Sequence, residues 1–200
     1  MEYFDIDIAE MVKAVGYIGL FSIVFAESGI FFGFFLPGGS MLFTAGLLAS
    51  QGFFNVYILV ILLGLAAVLG DSAGYWFGSK IGPKIFKKED SLFFKKKHLE
   101  QTKKFYDKYG AKAVVLGRFI PIVRTFVPIL AGVVGMHYGK FIRYNILGAI
   151  FWAIGMTLLG YFVGTSVPNM QDYLVPIVVT IIFLSILPIF FEMRKKSKEK

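Results

Sequence analysis

Ionisable side chains are missing from three long stretches of this chain. No Asp, Glu, Lys or Arg occurs between Glu27 and Asp71, between Arg143 and Asp172, or between Asp172 and Glu192, which leaves 43, 28 and 19 residues without a charge. A helix rises about 1.5 Å per residue, so about 20 residues cross a hydrocarbon layer of about 30 Å. Each stretch can therefore contain a membrane span. With 56% apolar and 17% charged residues, the chain lacks the composition of an ordinary water-facing domain, and we expect a polytopic membrane protein.

The positive charge is concentrated beside these stretches. Residues 80–112 contain eleven Lys and four acids, and residues 192–200 contain five Lys/Arg and two acids. Basic flanks of this kind are typical of cytoplasmic loops and of contact with anionic headgroups. The net charge of +8 therefore indicates the lipid bilayer and anionic phospholipid as partners, and not nucleic acid. Cysteine is absent, which excludes disulfides, and the acidic beginning MEYFDIDIAEM is not typical of a cleavable targeting segment.

Glycine and proline divide the apolar sequence into continuous and interrupted segments. Continuous segments predict a first helix at 11–27 and spans at 53–79, 139–165 and 173–191. Residues 29–40 and 113–136 are apolar but broken, which predicts re-entrant hairpins whose backbone is shielded by protein. We assign the hairpin tips to Pro37, Gly38, Gly39 and Pro121. Between the halves, Leu, Phe and Tyr recur at helical spacing among lysines up to Gly110, which predicts a basic amphipathic helix on the cytoplasmic face with Gly110 as its C-cap.

Three short motifs occur twice in the same order. FLP at 35–37 recurs as FIP at 119–121, AG at 45–46 recurs at 131–132, and Gly74–Gly78 recurs as Gly160–Gly164. The interval from Ala–Gly to Gly–Tyr is 29 residues in both halves. If the basic segment is cytoplasmic, Lys140 and Arg143 also lie inside, and the two halves have opposite orientations.

The predicted fold class is all-α: a polytopic helical membrane protein with two opposed re-entrant hairpins in an inverted repeat, as in secondary transporters. We treat residues 1–200 as one domain. It consists of a first half at 11–79, a cytoplasmic basic segment at 80–112, a second half at 113–191 and a basic tail at 192–200.

Four ionisable residues, Glu27, Asp71, Arg118 and Arg124, lie in or beside the apolar segments. A charge at mid-bilayer costs about 2.5–3.5 kcal/mol, so such residues usually face a cavity, a partner or a substrate. We interpret Arg118 and Arg124, which flank Pro121, as a substrate-phosphate site, because guanidinium groups bind phosphate bidentately. The alternative is that they snorkel to the interface or pair permanently with acids. Glu27 and Asp71 are the candidates for proton or ion coupling. The alternatives are a helix end exposed to water for Glu27 and a hydrogen bond inside the bundle for Asp71.

Motifs of catalysis are not visible. Only two histidines, His98 and His137, are present, and neither HExxH nor GxxxxGK[ST] occurs. We therefore expect no enzyme, no metal site and no cofactor. Glycines in the spans are interpreted as packing surfaces, and three aromatics as interface anchors or packing rather than a ligand cage. The glycines are 64, 70, 74, 78, 148, 155, 160 and 164, and the aromatics are Trp76, Trp152 and Tyr161.

Four stretches carry a family resemblance: FAESGIFFGFFLPGGS (25–40), GDSAGYWFGSKIG (70–82), FFKKKHLEQTKKFYDKYG (93–110) and GRFIPIVRTFVPILAGVVGM (117–136). In these the chain resembles the DedA family, also called SNARE-associated Golgi or VTT-domain proteins. The resemblance implies opposed re-entrant hairpins and movement of lipids across the bilayer, with bacterial members similar to proton-coupled transporters that recycle undecaprenyl phosphate. It also implies that Glu27, Arg118 and Arg124 correspond to the functional acid and arginines. The chain departs from many members in having Gly39 where they have an acid.

The function that we expect is ion-coupled translocation of undecaprenyl phosphate or a related anionic lipid by a multi-pass flippase of the bacterial inner membrane. One alternative is a proton- or cation-coupled transporter of a small anionic solute. The others are a phospholipid scramblase and a scaffold whose basic helix binds anionic lipid or a partner. The sequence leaves open the coupling ion and whether the protein forms a homo-oligomer.

Overall fold

The computed structural model describes residues 8–29, 38–85 and 96–167, together with Pro176 and Thr180. Every regular element in these ranges is a helix, which confirms the all-helical prediction. The predicted last span at 173–191 and the tail at 192–200 lie outside the described residues, apart from those two positions. The helices are α1 (Ile8–Gly29), α2 (Gly38–Ser50), α3 (Val56–Ile85), α4 (Lys96–Tyr109), α5 (Ala113–Leu116), α6 (Pro121–Val133), α7 (Tyr138–Ala149) and α8 (Gly155–Ser166).

Two helical stretches within the described ranges are long and apolar enough to cross a membrane. The first is Val56–Lys80 within α3. The second is Tyr138–Ser166, in which the π-helical turn Ile150–Ile154 joins α7 to α8 without a break. At about 1.5 Å per residue, each exceeds the hydrocarbon thickness of about 30 Å. The spans predicted at 53–79 and 139–165 are thus confirmed as helices to within a few residues.

The side chains of α3 are apolar on both faces. One face is fully buried in the bundle, whereas the opposite face leaves about half of each large side chain exposed. A helix that is apolar all round is typical of a buried or membrane-embedded segment. The buried face includes Leu59, Leu63 and Ala67, and the exposed face includes Ile61, Leu65 and Leu69.

Helices α2 and α6 have the same length and are followed by the same kinds of element. Each has 13 residues and is therefore about 20 Å long, too short to cross the hydrocarbon layer alone. Each is followed by a turn with a glycine of positive φ, Gly52 (80°) or Gly135 (70°), and then by a long helix. The break predicted in 113–136 is confirmed, since Ile120 is extended (φ −114°, ψ 111°) and Pro121 begins α6. In the first predicted hairpin, Pro37 lies outside the described residues, whereas Gly38 and Gly39 form the first turn of α2.

Each short helix packs against the long helix of the other half. Gly46 of α2 lies against the backbone of Thr157 and Tyr161, and Gly160 of α8 lies against Phe43 and Leu47. The side-chain amide of Gln51, just after α2, donates to the carbonyl of Gly164 near the end of α8, so α2 and α8 run parallel. Helices α6 and α3 pack in the same way. A Cβ at Gly46, Gly78, Gly132 or Gly160 would overlap the backbone of the opposite helix, and for Gly78 and Gly160 this confirms the predicted packing role. The contacts between α6 and α3 pair Gly132 with Tyr75 and Ser79, and Gly78 with Ile129.

The two long helices run antiparallel. The ring of Tyr138 lies 6.1 Å from that of Trp76, Asn145 donates a hydrogen bond to the carbonyl of Val68, and Ile154 contacts Gly64. Rising residue numbers on one helix therefore meet falling numbers on the other. As a result, Lys140 and Arg143 lie at the same end of the bundle as Lys80.

Helices α1 and α4 complete the described bundle. The predicted first helix is confirmed but is kinked at Gly16 (φ 56°), after which it runs along α3. Where α1 and α3 cross, a Cβ on Gly29 would lie 2.7 Å from the carbonyl oxygen of Gly70. The amphipathic α4 ends at Tyr109 and is followed by Gly110 with φ 55°, as the C-cap prediction requires.

Candidate functional site

The crossing of α1 and α3 brings two acidic residues into the bundle together. Glu27 precedes the crossing glycine of α1 by two residues, and Asp71 directly follows Gly70 of α3. The exposed fractions of Glu27 and Asp71 are only 1% and 3%. The segment around the break before α6 supplies two arginines, and each forms an ion pair with one of these acids. All four ionisable residues singled out in the sequence therefore meet in one region.

The first pair, Asp71–Arg118, belongs to a closed hydrogen-bond network. Nη2 of Arg118 donates to Oδ2 of Asp71 at 2.6 Å, to the carbonyl of Ala67 at 3.3 Å, and to Oδ1 of Asn145. The amide nitrogen of Asn145 donates in turn to the carbonyl of Val68 at 3.0 Å. Asn145 is completely buried. The guanidinium of Arg118 is therefore held inside the bundle by two side chains, the uncharged amide of Asn145 on α7 and the carboxylate of Asp71 on α3.

Gly148 makes room for this guanidinium. A Cβ at Gly148 would lie 2.8 Å from both Cδ and Nε of Arg118, closer than such atoms approach in folded proteins. Nε is buried and has no hydrogen-bond partner within the described parts of the chain. Arg118 is therefore held through one terminal nitrogen, and the Nε edge of its planar group is not used by the described protein groups.

The second pair, Glu27–Arg124, lies at the beginning of α2. Oε1 of Glu27 accepts hydrogen bonds from the backbone N–H of Gly38, at 3.1 Å, and from Nη2 of Arg124. The N-terminus of a helix favours a negative group, because its first N–H groups are not used within the helix. A Cβ at Gly38 would overlap the carboxyl group of Glu27, which would have to move away. Oε2 is buried without a partner among the described residues.

Arg124 has a second neighbour in Trp152. The guanidinium carbon lies over the indole ring, 5.2 Å from its centroid, which is within the range of a cation–π contact. Trp152 is 6% exposed and lies in the π-helical turn between α7 and α8. The side chain of Arg124 is 15% exposed, compared with 4% for Arg118. The second pair is therefore the less enclosed of the two.

The net charge of the four side chains depends on whether the two acids are ionised. With both acids ionised, their two negative charges balance the two positive charges of the arginines. One proton taken up by a carboxyl would leave a net charge of +1 and favour an anion. Within the described ranges no three His, Asp or Glu side chains come together to hold a metal ion. The roles assigned to these residues in phosphate binding and ion coupling stay predictions.

Three contributors to the site were missed or undervalued in the sequence. Asn145 lies at the beginning of the 28-residue stretch without a charge, and an amide in such a stretch is a signal that could have identified it. Gly148 was interpreted as helix packing but makes room for Arg118. Trp152 was interpreted as an anchor or packing residue, and it also contacts Arg124.

Comparisons with known proteins place all of these residues in one family domain. The VTT domain family matches residues 21–162. Protein DedA of Escherichia coli (strain K12) is 43% identical over 201 residues, which cover 98% of this chain and 91% of that protein. No solved structure matches the chain.

Two further relatives are named as membrane proteins. An uncharacterized membrane protein of Mycobacterium tuberculosis (strain ATCC 25618 / H37Rv) is 45% identical over 172 residues, or 85% of this chain and 75% of that protein. Inner membrane protein YqjA of Escherichia coli (strain K12) is 31% identical over 150 residues, or 75% and 68% of the two chains. With its two apolar helices and its VTT domain, the chain belongs to the DedA family of helical membrane proteins.

Proposed function

We propose that this protein is an ion-coupled transporter that moves an anionic lipid with a phosphate headgroup, such as undecaprenyl phosphate, across the bacterial inner membrane. The observation that carries the proposal is the pair of buried acid–arginine contacts beside the two short helices. Buried ionisable groups in membrane segments are typical of substrate and ion pathways. Arginine in particular suits phosphate, because its planar group offers several donors at once.

The packing of the helices supports an inverted repeat with two re-entrant hairpins. Helices α2 and α6 are too short to span alone, and each is covered by a long helix of the other half. The long helices are antiparallel, as expected for two halves that enter from opposite faces. Because Lys80, Lys140 and Arg143 share one end of the bundle, we assign that end, the basic segment 80–112 and the tail to the cytoplasm.

Coupling follows from the charge balance of the four ionisable groups. A proton taken up by Glu27 would weaken its attraction for Arg124 and give the group a net positive charge. An anionic headgroup would then bind more tightly, and by linkage its binding would favour protonation to the same extent. The buried Oε2 of Glu27 has no partner in the described part of the chain and is the atom to which we assign this proton.

The position of Trp152 favours a lipid over a small solute. Its neighbours in the π-helical turn, Ile150 and Phe151, are 44% and 63% exposed on the outside of the bundle. The ring that contacts Arg124 therefore belongs to a turn whose neighbouring side chains would face hydrocarbon. A headgroup could reach Arg124 from the side while its tail stays in the lipid. We propose binding and release without a bond-breaking step, so the protein is not an enzyme in this scheme.

Reconstitution in vesicles tests the proposed function. We expect transport of a labelled polyprenyl phosphate that depends on an ion gradient, and no comparable movement of a labelled zwitterionic phospholipid or of free phosphate. Phospholipid movement alone would indicate a scramblase, and free phosphate movement would indicate a solute transporter. Either result would overturn the proposal.

Arg118→Lys tests the phosphate site within the same assay. Lysine keeps the charge but loses the planar fork, so transport should fall, and Arg118→Ala should reduce it further. Transport at the unaltered rate in both variants would exclude Arg118 from phosphate binding.

A further inference from the structure

A cavity of about 590 Å³ lies beside the first part of α7, at the end of the bundle that also carries Lys80. Sites for small ligands have volumes of about 300–1,000 Å³, so the cavity has room for a phosphate headgroup. Its described lining comes from one stripe of α7 and from the residues that begin this helix. The lining residues are His137, Gly139, Lys140, Arg143, Tyr144 and Leu147.

The cavity contains positive charge without a counter-charge from the described protein. Lys140 and Arg143 are exposed, and neither forms an ion pair with an acid in the described part of the chain. Nδ1 of His137 accepts the backbone N–H of Gly139 at 3.2 Å, so in the neutral ring Nε2 carries the proton and can donate it to a ligand. Two cations and an N–H donor around one cavity favour an anion, and the planar group of Arg143 suits phosphate in particular.

Further into the span, the cavity continues onto an apolar surface. Leu147 lines the cavity and is 46% exposed, and it lies about 10 Å along the helix from Lys140. The next turn exposes Ile150 and Phe151. Cations at one level and exposed apolar side chains one to two turns deeper match the headgroup and the chains of an anionic phospholipid. A soluble anion would use only the first of these two features.

The cavity lies on a different face of α7 from the acid–arginine pairs. The buried stripe of α7 includes Asn145 and Gly148, which both contact Arg118. With 3.6 residues per turn, this stripe is roughly a third of a turn away from the stripe that lines the cavity. None of the described lining residues belongs to either pair. A lipid bound here would therefore hold α7 in place without occupying the site of the transported lipid.

We infer that this cavity binds the phosphate headgroup of an anionic phospholipid of the cytoplasmic leaflet. The inference uses the orientation assigned above, but it goes beyond the proposed function because it requires no transport. The bound phospholipid stays with the protein and stabilises the helix that packs against Arg118.

Retention of phosphatidylglycerol by the purified protein tests the inference. The detergent-solubilised protein is titrated with phosphatidylglycerol or with zwitterionic phosphatidylcholine, and the bound lipid is counted by native mass spectrometry. We expect one phosphatidylglycerol to be retained at concentrations at which phosphatidylcholine is not. Lys140→Gln combined with Arg143→Gln should weaken this retention about tenfold to thirtyfold, because each basic group contributes to the attraction. Equal retention of both lipids by the unaltered protein would overturn the inference.

Lys80→Gln combined with Lys108→Gln is the matched control. It removes the same charge from two exposed lysines that lie over the rings of Trp76 and Tyr109 and do not line the cavity. We expect retention of phosphatidylglycerol to change by less than about twofold, because at physiological salt the screening length is only about 8 Å. All four substituted residues are exposed, so both double variants should fold. If the two double variants weaken retention equally, net charge alone attracts the lipid and the inference is overturned.

Two further measurements identify the ligand and its location. Inorganic phosphate at the same concentration should not displace phosphatidylglycerol, and displacement would mean that the cavity takes a soluble anion, which would overturn the inference. Arg118→Lys, which should impair transport, should retain phosphatidylglycerol as the unaltered protein does. Loss of retention in this variant would place the phospholipid at the buried pair and also overturn the inference. Retention by a protein that transports no polyprenyl phosphate would support this inference while overturning the proposed function.

Discussion

The two acid–arginine pairs differ in how completely the protein surrounds them. Asp71–Arg118 is shared with Asn145 and backbone carbonyls, and both side chains are at most 5% exposed. In Glu27–Arg124 the arginine is 15% exposed, and one carboxylate oxygen has no partner among the described residues. We call the first pair closed and the second pair open. In the closed pair, the hydrogen bonds that Arg118 makes to its several partners resist a change of charge. In the open pair, the unpartnered oxygen can gain a proton and the exposed arginine can gain an anion. We therefore propose that the first pair holds Arg118 in place for the phosphate and that the second pair changes its charge.

The largest expected effect is from removing the acid of the closed pair. Asp71→Leu leaves Arg118 buried and without its counter-charge, so we expect the free energy of unfolding to fall by about 3–5 kcal/mol, as measured by denaturant unfolding in detergent micelles. Glu27→Leu should lower it less, because Arg124 keeps partial exposure and the Trp152 ring.

A double variant is the control for this prediction. Asp71→Leu combined with Arg118→Met removes both charges and should recover most of the lost stability. If Glu27→Leu costs as much as Asp71→Leu, the distinction between the two pairs fails.

An intermediate effect is expected where glycine makes room for Arg118. The Cβ of Gly148→Ala would press on Cδ and Nε of the guanidinium side chain at 2.8 Å, and overpacking of this kind costs about 1–3 kcal/mol. Gly155→Ala on the same long helix is the matched control, because its Cβ would lie 3.6 Å from the carbonyl oxygen of Ile150, an ordinary van der Waals contact. Equal unfolding midpoints for the two variants would show that the closed pair tolerates displacement.

The smallest effect on stability is expected from Glu27→Gln. The amide oxygen can still accept from Gly38 and Arg124, so the loss should be about 1 kcal/mol. Transport, however, should lose its dependence on the ion gradient, because the amide cannot be protonated. A variant that keeps the pH profile of the unaltered protein would remove Glu27 from coupling and make the two pairs equivalent.

The sequence was sufficient to identify the ionisable residues but not their partners. Charges in apolar segments are conspicuous because they are costly, so Glu27, Asp71, Arg118 and Arg124 could be selected without a structure. Which acid meets which arginine depends on the crossing of α1 with α3 and on the placement of α6. Those contacts join residues 47 and 97 positions apart, and local patterns carry no information about them.

The limits of the long helices were predictable for a similar reason. Apolar length and flanking charge define the two spans, and Gly110 and Pro121 mark a helix end and a helix start by their backbone preferences alone. The sequence does not identify Asn145 and Trp152 as parts of the site. Burying a neutral amide or an aromatic ring in an apolar segment costs much less free energy than burying a charge, so these residues cannot be distinguished from ordinary packing residues. Their importance depends on which side chain they meet in three dimensions.

The exchange of short helices between the halves has a mechanical consequence. Helix α6, which carries Arg124, rests on α3, which carries Asp71, and glycine leaves no compressible side chain between their backbones at the crossing. Helix α2 is seated on α8 in the same manner. We therefore expect a displacement of either short helix to be transmitted to the long helix of the opposite half, so that the two halves move together.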